Sequence, residues 1–124
     1  MPERAVLWTV TDPRGVDVSL AEDVWLEHVA YRPEIAPYLD AVALAVRDPD
    51  AIYFDPETTA RRTTGARIYL YYRSGLTQGK YAGNYVAVVV KLLAEDGHAW
   101  RGYVESAMLA SRIMRRVVLE WKKE

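Results

Sequence analysis

Hydrophobic and polar positions alternate with a period of two through three consecutive stretches between residues 67 and 105. In RIYLYYR, Arg67, Tyr69, Tyr71 and Arg73 point one way, and Ile68, Leu70 and Tyr72 the other. In YVAVVVKLL, Val86, Val88, Val90 and Leu92 form an apolar set opposite Tyr85, Ala87, Val89 and Lys91. In AWRGYVE, Trp100, Gly102 and Val104 alternate against Ala99, Arg101, Tyr103 and Glu105. Successive side chains on a strand point to opposite faces, so these runs predict adjacent strands over 67–73, 85–93 and 99–105 with one buried face. On this reading Val86, Val88, Val90, Leu70 and Trp100 are buried. The other face displays Arg67, Tyr69, Tyr71, Arg73, Tyr85, Lys91, Arg101 and Tyr103. Cations that hold phosphate, set among rings that stack on bases, suit single-stranded nucleic acid. The same residues also suit an ordinary solvated sheet face.

The earlier part of the chain changes period. Residues 4–11 and 16–18 read as strands around the turn Asp12-Pro13-Arg14-Gly15. Ser19 with Glu22 has the spacing of a capping box, and a helix is expected over 20–31 with Trp25, His28, Val29 and Arg32 on one stripe. Arg32-Pro33 breaks it. A second helix is expected over 34–47, with Pro37 in its first turn and Asp48-Pro49 as its stop. Residues 51–54 suit a short strand, and 105–115 a helix. Residues 116–122 fit a helical stripe and a strand equally well. The expected fold is therefore a single α+β domain over 1–124. Two N-terminal helices pack on a four-stranded antiparallel sheet, and a C-terminal helical segment follows.

Composition narrows the chemistry. The 124-residue chain has no cysteine, which removes disulfides, thiolate zinc sites and thiol catalysis. No apolar run approaches a membrane span and no signal peptide is legible, so a cytoplasmic protein without a membrane partner is expected. The net charge of −1 hides a polarity: residues 1–60 carry −8 and residues 61–124 carry +7. Such asymmetry suggests a basic surface for a polyanion, or mutual neutralisation of the two halves. Gly79-Lys80 lacks the spacing of a phosphate loop. The two histidines stand seventy residues apart, and Asp48 and Asp50 flank a proline in a turn, so no metal site and no cofactor is expected.

The residues Trp25-x-x-His28-x-x-x-Arg32-Pro33-Glu34, Ala36-Pro37-Tyr38-Leu39 and Asp48-Pro49-Asp50-Ala51-Ile52 form a further pattern. Together with Leu70-Tyr71-Tyr72-Arg73, Val88-Val89-Val90-Lys91 and Gly102-Tyr103, it resembles the phage-associated nuclease-like domains of the Barnase–EndoU–colicin–RelE group. The resemblance spans roughly residues 16–103. It implies two N-terminal helices on a four-stranded antiparallel sheet, and metal-independent RNA cleavage in toxin or mobile-element settings, with a cognate inhibitor protein as a partner. It carries Arg73 and Lys91 over as phosphate-holding residues. Two positions depart from the pattern: Arg32 stands where a second histidine is common, and Arg101-Gly102-Tyr103 where Thr-Ala-Tyr is common. Both changes favour a non-catalytic module that binds nucleic acid or protein; His28 favours cleavage.

Cleavage without metal needs a base for the 2′-hydroxyl, an acid for the leaving 5′-oxygen and a cation for the phosphorane. Histidine, as a residue type, titrates near 6.5 and suits either proton role. His28 is thus the candidate for proton transfer, against an ordinary helix histidine beside Trp25. Arg32, Arg73 and Lys91 are candidates for holding phosphate, and Tyr103 for stacking or for donating to the leaving oxygen. Arg67, Tyr69, Tyr71 and Arg101 complete the expected RNA-binding face. His98, in the turn Glu95-Asp96-Gly97-His98, is expected to be solvated.

Overall fold

Seven strands form one mixed sheet in the order β1-β2-β6-β5-β4-β3-β7 in the computed structural model, which describes residues 5–94 and 100–124. The strands are β1 (Val6–Thr11), β2 (Asp17–Ala21), β3 (Ala51–Phe54), β4 (Arg67–Arg73), β5 (Tyr85–Ala94), β6 (Trp100–Ala110) and β7 (Val118–Lys122). All neighbours pair antiparallel except β2 and β6, which run parallel. The helices are short: α1 (Glu22–Val24) widening into a π-helical turn (Trp25–Val29), α2 (Leu39–Arg47) and α3 (Pro56–Ala60). The expected two helices on a four-stranded antiparallel sheet, with a C-terminal helix, is therefore corrected to a seven-stranded mixed sheet. His98 lies outside the described residues.

Each departure has a local cause. The helix expected over 20–31 starts late because Leu20 and Ala21 still pair with Trp8 and Val6 in β1. The one expected over 34–47 begins regularly only at Leu39, after a 3₁₀ turn at Ala36–Tyr38. The helix expected over 105–115 is strand up to Ala110. β5 is ten residues long, and the backbone groups on its β6 side need partners along the whole length. Val86, Ala87, Val88 and Val89 find them in Leu109, Met108, Ala107 and Ser106. Residues 118–122 are strand because they close the exposed side of β3.

The two faces of the sheet are covered differently. On the inner face α1, its π turn and α2 bury Trp25, Val29, Val42, Ala45 and Val46 against Val86, Val88, Val90 and Val104. On the outer face residues 111–117 lay Ile113, Met114 and Val117 over Leu70, Tyr72 and Ala87. Cross-strand partners share a face, and Tyr69 and Tyr71 stand opposite Val90 and Val88. Both tyrosines are therefore inner-face core residues, with Tyr71 fully buried, and not members of an open basic face. Trp100, expected in the core, is 39% exposed at the end of β6.

Candidate functional site

β2 and β6 stay paired only from Asp17–Arg101 to Ser19–Tyr103. Beyond that point β2 bends into α1, and a cleft of about 590 Å³ opens between them. One wall is Val6, Ser19, Ala21, Val24 and His28; the other is Lys91, Arg101, Tyr103, Val104 and Glu105, with Arg62 at the rim. Lys91 and Tyr103 are direct cross-strand partners, and Arg101 follows on the same face opposite Leu93.

Two irregularities shape this cleft. The first is the π turn, whose widened hydrogen bond runs from the Ala30 N–H to the Trp25 carbonyl at 2.7 Å. It keeps Trp25 and Val29 in the core while His28 remains exposed on the cleft side. Such turns cluster at functional sites. The second is a bulge in β6. Val90 pairs with Val104 and Val89 with Ser106, leaving Glu105 as the extra residue. A bulge re-aims the side chains beside it. Glu105 lines the cleft and accepts two hydrogen bonds from Arg62, at 2.7 and 2.9 Å. Ser106 instead accepts from Arg32 Nη2 at 3.1 Å.

Of the residues expected in the site, the structure brings His28, Lys91, Arg101 and Tyr103 together. Arg32 does not line the cleft; it bonds Ser106 and the His28 carbonyl, and stacks over Tyr31. Arg73 sits at the far end of β4, where its Nη1 donates to the Asp48 carbonyl and carboxylate at 2.7 and 2.9 Å. Tyr71 donates to the buried Asp12 carboxylate at 2.5 Å. Burial, reinforced by that carboxylate, pushes the Tyr71 phenol well above its ordinary range. Arg67 and Tyr69 border a separate pocket on the inner face.

Arg62 and Glu105 were absent from the expected site. Glu105 shares the alternation of Arg101 and Tyr103, so a signal for it existed. For Arg62, in a polar loop, none did. Electrostatically the cleft is unbalanced. Arg62 and Glu105 neutralise each other, whereas Lys91 and Arg101 make no ion pair among the described residues. Two cations without an ion-pair partner among the described residues, beside an exposed imidazole, suit a phosphate group. Among the described residues no cluster of three or more histidine, aspartate or glutamate side chains is arranged for a metal ion. No helix among them is long and apolar enough to cross a membrane. Comparison with protein-family models, curated proteins and solved structures finds no match to this chain.

Proposed function

We propose that the cleft binds the phosphodiester of an RNA strand and cleaves it without a metal ion. The observation that carries this reading is the convergence of His28, Lys91, Arg101, Tyr103 and Glu105 on one cleft. Lys91 and Arg101 hold the phosphate oxygens and offset the charge that grows on the phosphorane. Glu105, kept in place by Arg62, takes the proton of the 2′-hydroxyl, whose oxygen attacks the phosphorus. His28, as imidazolium, gives a proton to the departing 5′-oxygen. The products are a 2′,3′-cyclic phosphate and a free 5′-hydroxyl, with no other reactant consumed. The resemblance to the Barnase–EndoU–colicin–RelE group implies the same chemistry; of the two phosphate-holding residues it carries over, Lys91 lines the cleft and Arg73 does not. A cognate inhibitor would have to present carboxylates to Lys91 and Arg101.

One observation favours a second reading, in which the domain binds nucleic acid without cutting it. Both Glu105 oxygens already accept from Arg62, and Arg32 and Arg73 are committed elsewhere. Incubating the pure chain with mixed-sequence RNA in EDTA separates the two. Cleavage that leaves cyclic phosphate ends, and falls about 10²–10⁴-fold in His28→Ala, supports the enzyme. Salt-sensitive binding without cleavage selects the binding module. Neither result in a folded protein overturns both.

A further inference from the structure

The pocket on the inner face lies across the sheet from the cleft. Trp100 borders the pocket and Arg101 the cleft, and neighbouring residues of one strand point to opposite faces. We propose that this pocket, formed by Arg14, Arg67, Tyr69 and Trp100, is a second anion site that takes a nucleoside monophosphate unit, with the phosphate inside and the base against Trp100.

The argument starts from two guanidiniums over one ring. Arg14 lies 4.8 Å and Arg67 5.7 Å from the Tyr69 ring centroid, and Arg67 also stacks over Phe54 at 4.8 Å. Both are anchored from behind. The Asp12 side chain accepts from the Arg14 and Val16 backbone N–H groups at 2.8 and 2.9 Å and so fixes the turn that carries Arg14. Arg67 is the first residue of β4. Arg14 Nε lies 3.7 Å from that same Asp12 carboxylate, which already accepts from Tyr71. Arg67 makes no ion pair among the described residues. Both guanidiniums line this pocket, and guanidiniums that face one cavity match the oxygens of a phosphate.

Size and surroundings narrow the ligand. The pocket encloses about 160 Å³ over Val16 and Leu92. At about 30 Å³ per water this is room for roughly five waters, enough for a phosphate group but not for a whole nucleotide. The remainder of the ligand must lie outside, where the exposed Trp100 indole offers a stacking surface for a planar base. Free nucleotides and the 5′-terminal nucleotide of an RNA strand share this chemistry.

The test follows the Trp100 indole N–H resonance of the full chain during titration with uridine monophosphate, uridine, and an RNA trinucleotide with or without a 5′-phosphate. Saturable shifts with the phosphorylated ligands, and at least tenfold weaker ones with the unphosphorylated, are expected. Arg67→Gln should weaken binding read at the Trp100 resonance at least tenfold, a larger loss there than Lys91→Gln causes. A trinucleotide preferred tenfold over the mononucleotide identifies a strand end; equal affinity identifies free nucleotide. No saturable shift in a natively folded chain overturns the proposal. So does weakening by Lys91→Gln but not by Arg67→Gln. Trp100→Ala, at an exposed position, provides an independent variant read by calorimetry. The site stands apart from the cleft, since each is read through its own residues.

Discussion

Gly102 is the residue at which β6 leaves no room for a side chain. A Cβ there would come within 2.7 Å of Val18 Cγ2 and 2.9 Å of Leu92 Cδ2, both on buried residues. Gly102→Ala is expected to cost about 1–3 kcal/mol, the range for overpacking a core, and to lower the urea midpoint. Tyr71→Phe removes the phenol that bonds Asp12 and leaves a buried carboxylate short of a donor. A loss of about 1–3 kcal/mol is expected in the same unfolding measurement. In the cleft, Lys91→Gln and Arg101→Gln should each weaken RNA binding across all sequences. Each should also reduce the slope of log affinity against log salt by about 0.7, the value for one phosphate contact on a single strand. An unchanged slope in both would remove these residues from the interface.

Elements meet at two carboxylate clasps. Asp48, at the C-terminal end of α2, accepts from Lys123 beyond β7 and from Arg73 in β4. The bonds from Lys123, then Arg73, hold its carboxyl below the ordinary aspartate range. Asp55 caps α3, accepting from the Thr58 backbone N–H at 3.0 Å and the Thr58 hydroxyl at 2.8 Å. Burial pushes its carboxyl up, but those bonds and Arg116 outweigh burial and lower it. Both folded values thus lie below the unfolded ones, near 3.9. Their contribution to stability is complete above that value and disappears as the pH falls through the folded values. Acid unfolding followed by circular dichroism should show this loss, and Asp55→Asn should make it shallower. An unaltered acid limb in that variant would mean that other groups control acid stability.

Across the whole molecule, the opposed charges of the two halves of the chain are only partly cancelled. Arg73, Arg116 and Lys123 from the basic half pair with Asp48, Asp55 and Glu57 from the acidic half. Those contacts gather around α3, β3 and β7. On the cleft side Lys91 and Arg101 remain without such partners among the described residues. Added salt should therefore weaken RNA binding steeply while moving the thermal midpoint little, since exposed ion pairs contribute about 0–1 kcal/mol each. Parallel titrations of binding and melting check this. A midpoint that falls in step with affinity would show that the same charges carry both.

Alternation alone made the core face of β5 legible, because burial on one face imposes a period of two; it misassigned β4, which is buried on both faces, and Trp100 of β6, which is exposed. It also placed Arg101, Tyr103 and Lys91 together, since their strands pair as that pattern requires. What alternation within a strand does not contain is the phase between strands. Tyr69 and Tyr71 share a face with Val88 and Val90 only because of the register that β4 takes against β5. A slip of one residue would have reversed every side chain. The helical stripe at 105–115 was likewise genuine, but the unpaired length of β5 outweighed it. The bulge at Glu105 and the π turn at Trp25–Val29 are tertiary solutions to local conflicts, and neither has a period to read. The π turn completes the site by leaving His28 exposed beside the cations, whereas Glu105 reaches the cleft in step with Arg101 and Tyr103, immediately before the strand changes phase.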